Sequence, residues 1–108
     1  MYNIHTINSF ETAKRLMDEN PDCVILDVRE EEEYATGHVE NALLFPVDDI
    51  TADFAKEVIP SKNSMLVIYC RTGSRSRMAA EELSKLGYTN VYDIGGLIAW
   101  PYGLIMGL

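Results

Sequence analysis

Residues 65–76 read Met65-Leu66-Val67-Ile68-Tyr69-Cys70-Arg71-Thr72-Gly73-Ser74-Arg75-Ser76. The first five are apolar throughout, as expected of a parallel strand buried on both faces. A Gly/Ser/Arg loop follows from Cys70 to Ser76. Beyond it, Met78, Ala79, Glu82, Leu83 and Leu86 recur at helical spacing, and Gly87 closes that helix at its C′ position. Strand, loop and helix in this order place Cys70 at the carboxyl end of a strand. That is where open α/β sheets bind their ligands.

The flanking sequence repeats the alternation. Asn8 and Glu11 have the spacing of a capping box, and Phe10, Ala13, Leu16 and Met17 follow at helical spacing. This predicts a helix over residues 9–19, stopped by Pro21. Val24-Ile25-Leu26 is a short buried strand ending at Asp27. Residues 30–35 form a short helix with acids at its start, where the helix dipole favours them, and Gly37 ends it. Residues 42–47 are a further strand, limited by Pro46 to an edge or a strand end. Residues 51–58 have weak helical spacing. Val91-Tyr92-Asp93-Ile94 is another strand, broken by Gly95-Gly96, and residues 97–100 form a helical turn stopped by Pro101. Strands alternating with helices indicate α/β: a central, mostly parallel sheet of about five short strands with helices on both faces.

The chain has 108 residues, with no long repeats, low-complexity tracts or linker, so residues 1–108 read as one domain. No apolar run approaches the roughly 18 residues of a membrane span. The start MYNIHTINSFE is neither basic nor apolar, which argues against a secretory signal. Two cysteines make no disulfide framework. A cytoplasmic protein with reduced thiols is the expectation. The net charge of −8 is unevenly spread. Residues 1–60 hold 4 basic and 14 acidic residues, whereas residues 61–108 hold 5 basic and 3 acidic. Arg71, Arg75 and Arg77 are three of those five. This balance argues against nucleic acid as a partner and for a local anion site on an acidic body.

The loop carries the chemistry. Gly73 allows the chain to turn back and point successive amide N–H groups inward. The start of the following helix, near Arg75 or Ser76, adds its positive end. Arg71 and Arg75 add formal charge. Each favours a thiolate at Cys70, and the same cradle would hold an oxyanion such as thiosulfate, sulfate or phosphate. The plainer alternative, an inert small hydrophobe at a strand end, does not explain the Gly/Ser/Arg loop.

Four segments then carry a resemblance: residues 26–42 (LDVREEEEYATGHVENA), residues 67–76 (VIYCRTGSRS), residues 79–96 (AAEELSKLGYTNVYDIGG) and the pair Ala99-Trp100. Together they cover most of residues 24–100, and in that order they resemble the single-domain rhodanese (thiosulfate sulfurtransferase) family. The resemblance implies a rhodanese-like fold and a ping-pong transfer. Cys70 takes the outer sulfur of thiosulfate, or of a related small sulfane donor, as a persulfide and passes it to cyanide, a thiol or a protein acceptor. It implies no metal and no organic cofactor. Arg71, Thr72, Gly73, Ser74, Arg75 and Ser76 form the substrate and persulfide loop, with Ser76 as a helix cap. Asp27 and Arg29 support the site, with Arg29 and Glu33 as an i,i+4 ion pair. His38 matches the family's turn and is the obvious candidate base, yet a preformed thiolate needs none.

Related phosphatases and arsenate reductases on this fold have one more residue between cysteine and arginine. Only Arg71, Thr72, Gly73 and Ser74 stand between Cys70 and Arg75 here, a smaller cradle suited to sulfur. A relay carrier fed by a protein persulfide is the nearer alternative. A non-catalytic interaction module typically lacks the cysteine. Cys23 precedes its strand while Cys70 follows another. The two thiols are therefore expected more than about 10 Å apart, beyond the ~7 Å Cα separation a disulfide tolerates. The ending WPYGLIMGL departs from the family's polar helix. Packing of this tail, and hence a monomer, is the expectation; a dimer through the tail is the alternative.

Overall fold

A computed structural model describes residues 3–59 and 61–108. Five strands form one sheet: β1 Ile4–Thr6, β2 Val24–Asp27, β3 Leu43–Leu44, β4 Leu66–Cys70 and β5 Val91–Gly96. Their order is β1-β5-β4-β2-β3, and every neighbouring pair is parallel. Among the described residues four α-helices, α1 Phe10–Glu19, α2 Glu31–Thr36, α3 Ala52–Val58 and α4 Ser74–Lys85, and a 3-10 turn at Val47–Asp49 join them. The expected architecture is present, and among the described residues the sheet is parallel throughout. Among the described residues no helix is long and apolar enough to cross a membrane.

β4 is the centre of the fold, and all five of its residues are buried. Because successive side chains on a strand point to opposite faces, Leu66, Ile68 and Cys70 enter one core and Val67 and Tyr69 the other. The first core packs Leu26, Val28, Ile59, Ala79, Ala80 and Leu83 beneath α3 and α4. The second packs Ala13, Met17 and Ile25 beneath α1. Cys70 thus faces α4 and its N-terminus, while Tyr69 faces away from it.

Several local details differ from the sequence expectations. β1 has no counterpart in the pattern reading. It is three residues long with only Ile4 part-buried, too short for a period to show, and it forms by pairing Ile4 with Val91 on β5. Ser9, not Asn8, caps α1: its hydroxyl accepts from the Thr12 N–H at 3.2 Å. The Gly95-Gly96 pair does not break β5. The strand runs through it on a bulge, as the register steps from Ile68–Asp93 to Tyr69–Gly95. Asp93 Oδ1 accepts from the Gly95 N–H at 2.9 Å and holds the bulge. The expected strand at residues 42–47 is paired only over Leu43–Leu44. Residues 97–100 form the expected single turn, closed by Trp100 N–H to Leu97 O at 2.9 Å, but with Ala99 at φ 70° rather than helical.

The tail docks through its backbone. Ile105 makes an antiparallel bridge to His38, and the Gly107 N–H donates to Ala35 O at 2.8 Å. Its side chains pack less than an apolar segment leads one to expect: Leu104, Ile105, Met106 and Leu108 are exposed. With α1 the tail borders a cleft of about 450 Å³ lined by Lys14, Met17, Ile25, Val39, Trp100 and Tyr102, none of them a loop residue.

Candidate active site

The Cys70 loop closes on its own sulfur. Gly73 N–H donates to Cys70 Sγ at 3.0 Å, and Ser76 N–H donates at 3.3 Å. Gly73 is the N-cap of α4 at φ 107° and ψ −18°. A side chain is strained at that φ, whereas glycine takes it freely. The helix therefore begins at Ser74, one to two residues earlier than expected, and Ser76 lies inside its first turn. Ser76 is not the cap: its hydroxyl donates to Gly73 O at 3.0 Å, tying the loop to the helix. Its amide is one of the free N–H groups of a helix start. Two amides and a helix N-terminus thus converge on one sulfur, an arrangement that stabilises negative charge there. Cys70 itself is 0% exposed, at the floor of the loop.

β5 supports the loop from below, which the sequence reading missed. The Leu97 N–H donates to Cys70 O at 3.1 Å. Gly96 pairs with Cys70 in the sheet. A Cβ on Gly96 would fall on the Arg71 carbonyl oxygen and lie 2.7 Å from Thr72 Cα. The second glycine of the pair is required by this close approach of backbone to backbone. Gly96→Ala is expected to push the loop outward, lower sulfur transfer by about 100-fold and cost about 1–3 kcal/mol of stability. Wild-type turnover in that variant would show that the loop tolerates the shift.

The arginines divide their work. Arg71 is exposed, as is Thr72, and among the described residues Arg71 has no hydrogen-bond or ion-pair partner. Arg77 pairs along α4 with Glu81 at 3.1 Å. Arg75 does not face an open anion site. Its Nη1 and Nη2 donate to the two oxygens of Glu33 at 2.6 and 2.9 Å. These hydrogen bonds from Arg75 hold the Glu33 carboxyl down at about 2, against an ordinary value of 4.5. The pair therefore contributes stability above about pH 4.5 and loses it as pH falls through about 2. An NMR titration should place the Glu33 midpoint near that lower value, and Arg75→Gln should return it toward 4.5. An unchanged midpoint in the variant would mean that Arg75 is not its cause.

Arg29 and Glu33 do not form the expected i,i+4 pair. Arg29 turns instead to Asp27, with Nε at 3.0 Å and Nη2 at 2.7 Å from its carboxylate oxygens. Arg29 Nη2 also donates to Gly37 O at 2.6 Å. Asp27 further accepts from the Arg29 N–H and from the Tyr69 hydroxyl at 2.6 Å. Tyr69 in turn accepts from the Val39 N–H at 3.1 Å. Burial first, and then the Asp27 hydrogen bond, push the Tyr69 hydroxyl far above its ordinary range, so it remains a donor. This buried network braces the ends of β2 and β4 immediately before Cys70. His38 is stacked on Tyr34, with its Nδ1 2.9 Å from Tyr34 O. Cys23 sits before β2, at the opposite end of the sheet from Cys70, and both cysteines are free.

Comparison with known proteins gives this geometry a context. The rhodanese-like domain family matches residues 9–101. Thiosulfate sulfurtransferase PspE of Escherichia coli is 41% identical over 78 residues, covering 70% of this chain and 74% of that protein. A sulfurtransferase of Allochromatium vinosum is 37% identical over 98 residues, covering 90% and 88%. A tRNA uridine(34) hydroxylase of Photorhabdus laumondii is 33% identical over 94 residues, but this chain spans only 26% of it. The crystal structure of a rhodanese-like domain protein from Staphylococcus aureus superposes with a TM-score of 0.76 at 31% identity, covering 96% of this chain and 99% of that one.

Proposed function

The chain belongs to the rhodanese-like domain family, and from that premise we propose that it is a sulfurtransferase that carries a sulfane sulfur on Cys70. The observation that supports this most is the convergence of the Gly73 and Ser76 amides on Cys70 Sγ. The donor in this reading is thiosulfate or a related sulfane donor, and thiosulfate illustrates the step. The Cys70 thiolate bonds to its outer sulfur, the S–S bond of thiosulfate breaks, and sulfite leaves with the electron pair. Cys70 is then a persulfide. An acceptor nucleophile, a thiol or cyanide, attacks the outer sulfur, and the Cys70 thiolate departs with its electrons. The covalent intermediate divides one transfer into two easier steps.

What the chain contributes is electrostatic. The charge moves between the Cys70 sulfur and the transferred one, and the loop amides point at that place before the reaction starts. Preorganised donors of this kind stabilise developing charge without reorganising. No general base enters the scheme. The exposed Arg71 is the cation at the loop that is free to meet an anionic donor.

Intact mass measured after incubation with thiosulfate tests the reading. The expected result is the gain of one sulfur atom, reversed by reductant, which peptide mapping assigns to Cys70 and not to Cys23. No gain at any thiosulfate concentration would sink thiosulfate as the donor, and a gain on Cys23 would sink the site.

A further inference from the structure

Three arginines crowd residues 71–77, yet the fold leaves one of them for an incoming anion. Arg77 is engaged by Glu81. Arg75 stands one residue before Ser76, whose amide touches the sulfur. Both terminal nitrogens of the Arg75 guanidinium are already engaged. Its two terminal nitrogens meet the two oxygens of Glu33, the two-point contact that a sulfonate or phosphate would otherwise make. Glu33 is not a loose surface group. Its Oε1 also accepts from the Glu30 N–H at 3.0 Å at the start of α2, so local structure holds the carboxylate in place. Both partners are 29% exposed, which screens the contact only partly. Glu30 adds a second negative charge within reach of Arg75.

Resting on the sulfurtransferase reading, we infer that Glu33 is a specificity-determining residue: its carboxylate occupies Arg75 in place of a donor oxyanion. The Cys70 loop is thereby biased toward sulfane donors that carry less charge than dianionic thiosulfate, the class of organic persulfides. Charge on the donor is met by Arg71 and the loop amides alone. Thiosulfate has two negative charges to bring past Glu33 and Glu30, whereas an alkyl persulfide brings one or none. With such a donor the Cys70 sulfur bonds to the terminal sulfur, the donor S–S bond breaks, and the electron pair leaves on the organic thiolate. A proton on the transferred sulfur remains there.

Glu33→Gln separates this from a purely structural role. It keeps an oxygen for the Glu30 N–H and the size of the side chain, and removes the charge. The affinity of the reduced protein for sulfate, read from the Gly73 and Ser76 amide shifts at low ionic strength, is expected to rise about tenfold, the size of one charge-assisted hydrogen bond. The thiosulfate KM should fall by about the same factor, while kcat/KM for an alkyl persulfide changes less than about twofold. Adding Arg75→Gln to Glu33→Gln should return sulfate affinity to its starting value. Should Glu33→Gln fail to fold, Glu33→Ala, which also gives up the Glu30 contact, should still raise sulfate affinity about tenfold.

Unchanged sulfate affinity and unchanged thiosulfate KM would overturn the inference. So would equal changes with both donors, since a contact that merely positions α2 against α4 moves them together. Tighter sulfate binding with no sulfur delivered to Cys70 by either donor would leave Glu33 in its assigned role as an anion filter and defeat the sulfurtransferase reading instead.

Discussion

Cys70→Ser is expected to abolish sulfur transfer from thiosulfate to cyanide, with a loss of roughly 10⁴-fold or more, as when a covalent nucleophile is removed. The substitution is close to isosteric. The serine hydroxyl can accept from the same Gly73 and Ser76 amides that now reach Sγ at 3.0 and 3.3 Å. Folding should therefore survive, and equilibrium unfolding in urea is expected to agree with the wild type within about 1 kcal/mol. The loss is chemical: an alkoxide is inaccessible at neutral pH, and oxygen cannot carry a sulfane sulfur as a stable intermediate. A steady-state assay with both substrates decides the matter. Residual turnover above a few per cent in a folded Cys70→Ser protein would assign the transfer to another group. Cys23→Ser, which alters the opposite end of the sheet, is the matching control and should retain full activity.

The second large effect concerns stability. Asp27→Ala is expected to cost about 3–5 kcal/mol, a large share of the roughly 5–15 kcal/mol that holds a domain folded. Asp27 is 0% exposed and accepts from the Arg29 backbone, the Arg29 guanidinium and the Tyr69 hydroxyl. Truncation leaves the Arg29 side chain, 10% exposed, with a buried charge and Gly37 O as its remaining partner. It also leaves the buried Tyr69 hydroxyl without its acceptor. Removing one partner of such a pair costs more than removing both, because the isolated charge keeps its desolvation penalty. The double substitution Asp27→Ala with Arg29→Met should therefore recover part of the loss. Urea midpoints at constant m-value read the effect. A loss below about 1 kcal/mol for Asp27→Ala would mean that water reaches Arg29 and that the network is not a brace.

The two predictions separate chemistry from scaffold. Tyr69 and Cys70 are adjacent on β4 and point to opposite faces. The brace therefore acts on one side of the strand and the loop on the other. Asp27→Ala protein that remains folded should bind sulfur on Cys70 with the wild-type stoichiometry, whereas Cys70→Ser should bind none while remaining stable.

Much of this was written in local pattern. The apolar run ending at Cys70, the loop with its glycine, and the helical spacing after it define a strand, a turn and a helix whose N–H groups must face the last strand residue. All these contacts span six residues or fewer, so chain connectivity alone brings the partners together. What the pattern could not contain was the pairing of charges and the fit of distant backbone. Arg75 meets Glu33 and Tyr69 meets Asp27, each across 42 residues, only once the strand order and register are set. Arg29 had two carboxylates within reach of a local argument. The i,i+4 choice, Glu33, is worth a few tenths of a kcal/mol on a helix surface. It lost to Asp27, whose fully buried carboxylate needs a bidentate partner. Gly96 read as a strand breaker because glycine is flexible in isolation. Only the β5 bulge, which sets Gly96 against the Arg71 carbonyl, turns that residue into the floor of the site. Local geometry follows from the order of residues along the chain. Which charges are satisfied, and which backbone lies beneath the loop, follow from desolvation and packing that exist only in the folded molecule.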